Sequence, residues 1–379
     1  MSDTREVISS GNDLAAMAAV DAGCRFFGGY PITPSSEVMH TISDLLPKVG
    51  GAAVQMEDEI GGVAAAIGAA MSGVRAMTAT SGPGMSLKAE NLGLANMAEV
   101  PLVVVNVMRG GPSTGLPTRV AQGDINQSKN PSHGDYKSIT LCAGNLEECY
   151  TEVVRAFNLA DRFMTPVIVL LDETIGHMHA KAVIPTAEKV KSEIKPRRTF
   201  DGDPKDYRPY DVADDEPAIL NPMFKGYRFH FTGLHHDADG FPTEEKETCR
   251  KLIHRLFNKI DAHKDEIELN EEFMLDDAEI LLIGYGSASL AIKEAIVRLR
   301  DEGIKAGLFR PITIWPSPEK RLYELGQKFD KILVVELNQG QYYEEIQRAM
   351  ARHNIEKLTK TNGRPFSPQD IIDKVKEVF

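Results

Sequence analysis

The sequence predicts an α/β protein with a mostly parallel sheet in its first domain and a smaller α/β unit behind it. Three observations carry this. Residues 101–107 (PLVVVNV) and 166–172 (PVIVLLD) are almost continuously apolar, as strands covered on both faces are. Helical patterns lie between such runs, the alternation that builds parallel sheets. A second set of strand-like runs at 278–286 and 331–337 ends in Gly- and Asn-rich turns. A chain of 379 residues is long enough for about two domains.

Elements follow in order. Ser10-Gly11-Asn12 starts a helix with Leu14, Met17, Ala18 and Ala22 on its apolar stripe, and 24–29 is the next strand. Thr33 before Pro34 reads as an N-cap with proline at the first helical position, and Val38, Ile42, Leu45 and Leu46 continue that helix. Such a helix start offers free N–H groups to a carboxylate or phosphate, although plain capping explains it equally. Residues 55–73 form a helix that opens on Glu57-Asp58-Glu59 and continues in alanines and glycines, which lets it approach another backbone closely. The three acids are functional carboxylates or simple first-turn charges. Residues 77–81 read as a strand and 81–84 (SGPG) as the turn at its end, matching neither a phosphate-binding P-loop nor a dinucleotide fingerprint. Arg109 stands just past the 101–107 strand, as a ligand group or a structural ion pair. The loop-rich 113–138 stretch is long enough to be functional. Helix 146–162 and strand 166–172 complete a first domain, taken as 1–188.

Residues 189–271 change character. They are polar and proline-punctuated, a linker or insertion with one amphipathic helix at 244–264 and a possible subunit contact. The second domain, 272–379, contains strands at 278–286, 305–309 and 331–337 and helices at 289–301 and from 342.

Composition narrows the function classes. A net charge of −12 argues against nucleic acid or an anionic membrane as partner. No apolar run nears the roughly 18 residues that span a bilayer, and the N-terminus lacks a signal-peptide apolar region, so a soluble cytoplasmic protein is expected. Cys24, Cys142, Cys149 and Cys249 show no metal-ligand spacing, so reduced thiols are expected and no metal site. What stands out is the stretch 55–115. Carboxylates at a helix start, a glycine turn after a strand and an arginine after the next strand together build a pocket at the carboxyl ends of parallel strands.

These residues carry a family resemblance. Tyr30-Pro31-Ile32-Thr33-Pro34-Ser35-Ser36, Glu57-Asp58-Glu59, Thr78-Ala79-Thr80-Ser81-Gly82-Pro83-Gly84, Arg109 to Thr118, Gly233 to Asp237 and Val335 to Gln341 jointly resemble the alpha subunits of 2-oxoacid:ferredoxin oxidoreductases, the 2-oxoglutarate type above all. The resemblance implies a thiamine-diphosphate-binding fold: a pyrimidine-binding first domain and a transketolase C-terminal-like second domain. It also implies thiamine diphosphate shared with a beta subunit, which carries Mg²⁺ and a 4Fe–4S cluster in an (αβ)2 assembly. The substrates would be 2-oxoglutarate and coenzyme A, with ferredoxin as electron acceptor. Carried onto this chain, Glu59 is the carboxyl that protonates the cofactor's aminopyrimidine, ahead of Glu57, with Pro31 and Ile32 as further cofactor contacts. Thr33 and Arg109 would hold the substrate carboxylate, and Arg119 is a candidate for the second carboxylate of a dicarboxylate. Pyruvate or a branched-chain 2-oxo acid is the alternative substrate. A non-catalytic assembly subunit and an unrelated nucleotide-binding enzyme are the alternatives of other classes.

Overall fold

The computed structural model describes residues 3–379. Its main sheet runs, from edge to edge, through Thr313–Trp315, Ile139–Cys142, Pro166–Asp172, Leu102–Gly110, Arg75–Thr80, Cys24–Gly29 and Ala52–Gln55. All but Thr313–Trp315 are parallel. Leu116–Val120 folds back antiparallel on the end of Leu102–Gly110. The Leu102–Gly110 strand is buried at every position, which explains its unbroken apolar run. Val103, Val105 and Val107 face helices Gly11–Asp21 and Leu146–Phe163, while Leu102 and Val104 face Glu59–Met71 and Gly82–Met97.

Parallel strands bring their carboxyl ends to one edge, so the segments following residues 29, 55 and 80 gather there, beside the end of the Leu102–Gly110 strand. Glycines set how closely. A Cβ on Gly28 would lie 2.4 Å from the Gly62 carbonyl, and one on Gly62 only 3.0 Å from Gly29 Cα. The Glu59–Met71 helix therefore crosses the Cys24–Gly29 strand glycine against glycine, and its first turn is pressed into the strand-end cleft.

The second unit has a five-stranded sheet in the order Asn270–Phe273, Ala306–Pro311, Ile280–Ile283, Lys331–Glu336, Glu356–Thr359. Helices Ala288–Asp301 and Pro368–Val378 cover one face. The other face, with Glu319–Lys328 and Gln341–Met350, merges into the same apolar cluster as the Glu59–Met71 and Gly82–Met97 helices. Polar ties add register to this contact: the Gln122 N–H donates to Leu337 O at 2.9 Å and Asn338 Nδ2 to Gln122 O at 2.7 Å.

Several elements differ from the sequence expectation. Gly82-Pro83-Gly84 is the first turn of a helix rather than a free turn, because proline at an early helical position costs no hydrogen bond. The 113–138 stretch holds the Leu116–Val120 strand and a short helix, Ile125–Lys129. Thr4–Ser10 pairs with His179–Pro185 as a separate ribbon. Residues 194–245 have no helix or strand beyond the turn Pro204–Asp206.

That excursion is pinned by charge. Glu99 is fully buried, ion-paired with Arg255 at 2.5 Å and Lys259 at 3.0 Å, and it accepts the Ala218 N–H. Burial alone would raise its carboxyl, but Arg255 and Lys259 outweigh this and hold it below the usual range. Its contribution is thus present at neutral pH and is lost only as pH falls below the ordinary carboxylate range. Removing one partner of such a cluster strands the others, so Glu99→Ala is expected to cost about 3–5 kcal/mol in denaturant unfolding. A loss below ~1 kcal/mol would mean that the cluster is not a fastening.

Candidate active site

The three acids of the sequence motif separate once folded. Glu57 is exposed, and Asp58 is the N-cap whose carboxylate accepts the Gly61 N–H at 2.8 Å. Glu59 alone is buried, at 4% exposure, in the first turn of its helix. Its carboxyl lies against the first turn of the neighbouring helix: a Cβ on Gly84 would sit 2.6 Å from Glu59 Oε1 and 2.2 Å from Thr80 Oγ1. Gly84→Ala is therefore expected to displace the carboxyl and cut the complex's turnover at least about tenfold, an effect worth about 1.4 kcal/mol in barrier. Unchanged turnover in that variant would show that the Glu59 position is not critical.

Around this carboxyl several polar atoms are buried without a hydrogen-bond partner: Thr80 Oγ1, Ser81 Oγ and Arg109 Nε. Buried polar groups are normally satisfied, so this donor and acceptor set fits a polar ligand. Arg109, near the end of the Leu102–Gly110 strand, donates through Nη1 to the Thr33 carbonyl. Burial weakens its hold on the proton, and Asp124 and Glu59 oppose that effect. The Asp124 carboxyl is pushed up by burial, against the Asn106 amide (2.9 Å), Arg109 and the Gly82 N–H. Both line a cleft of about 580 Å³ between the two units, with Ser86, Ser113, Asn338 and Gln339.

Thr33 is not the N-cap expected of it. The Thr33–Pro34 peptide is cis, and Ser35 donates from both its N–H (2.8 Å) and its hydroxyl (2.9 Å) to Ile32 O. This closed turn occupies residues 32–35, so the helix begins only at Ser36 and spans Ser36–Leu45. Thr33 instead offers its carbonyl to Arg109, and the residue is otherwise exposed. Pro31 and Ile32, half-buried, precede it in the same loop.

Arg119 is not brought to this cleft. Val120 pairs opposite Arg109, and directly opposed residues share a face of an antiparallel pair. The adjacent Arg119 therefore projects to the other face. It lines a separate cleft of about 400 Å³ with His177 and Arg364.

One residue escaped the sequence reading. Lys88 has no exposed surface; its ammonium donates to Glu59 O at 3.2 Å and to Thr78 Oγ1 at 3.1 Å. Burial pushes it down to about 8, against the pull of Glu59 and Asp58. The available signal was a lone cation on an apolar helical stripe, three residues after Met85 and four before Leu92.

Residues 17–255 match the family model for pyruvate flavodoxin/ferredoxin oxidoreductase, thiamine diphosphate-binding, and residues 278–371 match pyruvate:ferredoxin oxidoreductase core domain II. The chain belongs to the pyruvate:ferredoxin oxidoreductase family. Among curated members of that family it is 44% identical to the 2-oxoglutarate synthase subunit KorA of Methanothermobacter thermautotrophicus, over 98% of both chains. It is 34% identical to the ketoisovalerate oxidoreductase subunit VorB of the same organism, over 97% of this chain and 96% of that one. Among solved members it is similar to the 2-oxoglutarate:ferredoxin oxidoreductase of Magnetococcus marinus, solved with 2-oxoglutarate, coenzyme A and succinyl-CoA bound. The TM-score is 0.92 at 34% identity over 98% of this chain, which spans 65% of that chain's length. The family's thiamine-diphosphate-binding region contains Glu59, Lys88, Arg109 and Asp124.

Proposed function

We propose that this chain is the alpha subunit of a 2-oxoglutarate:ferredoxin oxidoreductase. The enzyme would convert 2-oxoglutarate and coenzyme A to succinyl-CoA and CO₂ and pass the electrons to ferredoxin. The observation that carries this reading is the buried Glu59 carboxyl beside partnerless polar atoms, next to a cleft that holds Arg109. The greater identity to the 2-oxoglutarate synthase subunit than to the ketoisovalerate one favours 2-oxoglutarate over a branched-chain acid.

Thiamine diphosphate, when bound, supplies the electron sink that lets the substrate carboxylate leave as CO₂. Glu59 would hold a proton at the far ring nitrogen of its aminopyrimidine, with Pro31 and Ile32 packing beside it. Arg109 would pair with the substrate carboxylate while its other edge stays tied to the Thr33 backbone, and the Thr33 hydroxyl would add a donor. The Asp124 carboxyl, whose charge acts on Arg109, would offset part of the guanidinium charge between turnovers. Arg119 faces away from Arg109, so the second carboxylate of the substrate would be held by other groups.

In this reading 1–188 is the pyrimidine-binding domain, 189–271 an insertion that contacts the partner, and 272–379 the transketolase C-terminal-like domain. The diphosphate-binding half-site with Mg²⁺ and the 4Fe–4S cluster would belong to a beta subunit, in a cytoplasmic (αβ)2 assembly. Among the described residues no helix is long and apolar enough to cross a membrane, and no cluster of His, Cys, Asp or Glu is placed to hold a metal.

A substrate panel on the complex purified with its partner tests the assignment. Specificity, kcat/KM, is expected to be highest for 2-oxoglutarate, at least about tenfold above pyruvate and 2-oxoisovalerate, a difference of ~1.4 kcal/mol in transition-state binding. A preference for either competitor would overturn the substrate and leave the chemistry standing.

A further inference from the structure

Arg119, turned away from Arg109 by the fold, lines a second cleft of about 400 Å³ to which both units contribute. Thr118 and Arg119 come from the Leu116–Val120 strand, Thr174 and His177 from the short helix Glu173–His177, and Arg364 from the loop before the Pro368–Val378 helix. Two features hold these parts together. Gly363 has a φ of +71°, and a Cβ on it would lie 2.9 Å from Arg119 Cβ, so the loop that carries Arg364 rests on the stem of Arg119. Lys360 braces that loop, donating to Pro365 O at 3.1 Å and pairing with Asp370 at 2.9 Å.

The charge in this cleft is uncompensated. Most arginines of this acidic chain pair with a carboxylate, Arg75 with Asp161 and Arg310 with Glu148 and Glu271 among them. Among the described residues neither Arg119 nor Arg364 has a carboxylate within 4.0 Å. Glu173 is the only acid that lines the cleft among the described residues. It is engaged by His177, whose Nδ1 lies 3.3 Å from Glu173 Oε1 while Nε2 lies 3.5 Å from Glu37 Oε2. Two guanidiniums, each a planar fork of donors, thus share one cleft with Thr118 and Thr174 and have no partner of opposite charge.

We propose that this cleft binds a phosphate-bearing small molecule through Arg119 and Arg364. A phosphomonoester carries about 1.5–2 negative charges at neutral pH and offers three acceptor oxygens. That suits two guanidinium forks and a hydroxyl at once, whereas a monocarboxylate would leave one arginine unanswered. Val120 lines both this cleft and the one that holds Arg109, so the Leu116–Val120 strand is the wall between them. Two sources of phosphate fit that placement. One is the phosphate end of coenzyme A, with its thiol end reaching towards Arg109, and the other is a separate nucleotide that binds behind the strand. The coenzyme A source rests on the proposed function; the site itself does not.

The test titrates inorganic pyrophosphate into the complex purified with its partner and saturated with thiamine diphosphate and Mg²⁺, so that the cofactor's own diphosphate site is filled. Calorimetry should show binding that weakens as salt rises. Affinity should fall at least about tenfold in Arg119→Ala and in Arg364→Ala, the loss expected for a charge-assisted hydrogen bond. Arg228→Ala removes an exposed arginine outside the cleft and should bind as the parent does. Arg119 and Arg364 are themselves exposed, so both variants should fold, and melting temperatures check this. Coenzyme A and ADP are then tried as competitors. Displacement by coenzyme A, with a KM for coenzyme A that rises in both variants and an unmoved KM for 2-oxoglutarate, makes the substrate the source. Displacement by either competitor with an unmoved KM for coenzyme A makes the source a separate nucleotide. Displacement by neither overturns the proposal, because the cleft would then hold a bare anion only. Absent pyrophosphate binding overturns it too, as does equal binding in the parent and both variants. Loss of the partner subunit from both variants also overturns it, since acidic groups of the partner would then fill the cleft. A complex that binds pyrophosphate here but does not turn over 2-oxoglutarate would remove the proposed function and leave this site standing.

Discussion

Glu59→Gln is expected to lower kcat of the assembled complex by roughly 10²–10⁴-fold, the range lost when a positioned proton-transfer group is removed. Glutamine keeps the shape and burial of the side chain but cannot exchange a proton with the cofactor's ring nitrogen. The surroundings support a selective loss. The helix start is held independently by the Asp58 cap and by the glycine crossing at Gly28 and Gly62, so folding and assembly should survive. KM for the 2-oxo acid should change little, because the substrate would meet Arg109 instead. Steady-state kinetics on parent and variant complexes check this, with thiamine diphosphate saturating. A Glu59→Gln complex with more than about a tenth of parental turnover would mean that the proton is handled elsewhere.

Arg109→Lys carries the second large effect. The Arg109 guanidinium is anchored by Nη1 on the Thr33 carbonyl, and its Nε is buried without a partner. A planar fork can keep that anchor and still present an edge to a carboxylate. A lysine ammonium, being a point charge on a flexible stem, cannot do both. Charge-assisted hydrogen bonds contribute about 1.5–3 kcal/mol each, so kcat/KM should fall about 10–100-fold, mostly through a higher KM. Equal KM values in parent and variant would place the substrate carboxylate away from Arg109. An intact response to salt and temperature would rule out a folding defect as the cause.

How much of this could be read from the chain follows from the range of the forces involved. The α/β class and the strands at 101–107 and 166–172 were plain, because a strand buried on both faces writes its environment into consecutive residues. The Ser10 start of the first helix was equally plain, since a cap is a contact between near neighbours: the Asp13 N–H donates to Ser10 Oγ. The short Thr313–Trp315 strand, which joins the sheet of the first unit at its edge, was not. Three residues hold no periodicity, and their partner lies far away in the chain. Thr33-Pro34 shows the opposite failure, in which a strong local signal for a cap was overruled by a turn closed on Ile32. Choosing Glu59 over Glu57 required the family resemblance, and the structure supplies the physical distinction, that only one of the two carboxyls is buried. Arg119 was grouped with Arg109 by nearness in sequence, which strand alternation defeats. Lys88 was overlooked because a cation three residues from one apolar position looks like surface until the neighbouring helix is seen to cover it.

The most direct test of the central claim uses the chain alone and the same chain purified with its partner, assayed for 2-oxoglutarate- and coenzyme A-dependent reduction of a low-potential acceptor with and without thiamine diphosphate. If the chain is the alpha half of this oxidoreductase, only the complex turns over, and its activity requires both thiamine diphosphate and the iron–sulfur-bearing partner. Turnover by the isolated chain, or by a complex indifferent to thiamine diphosphate, would contradict it.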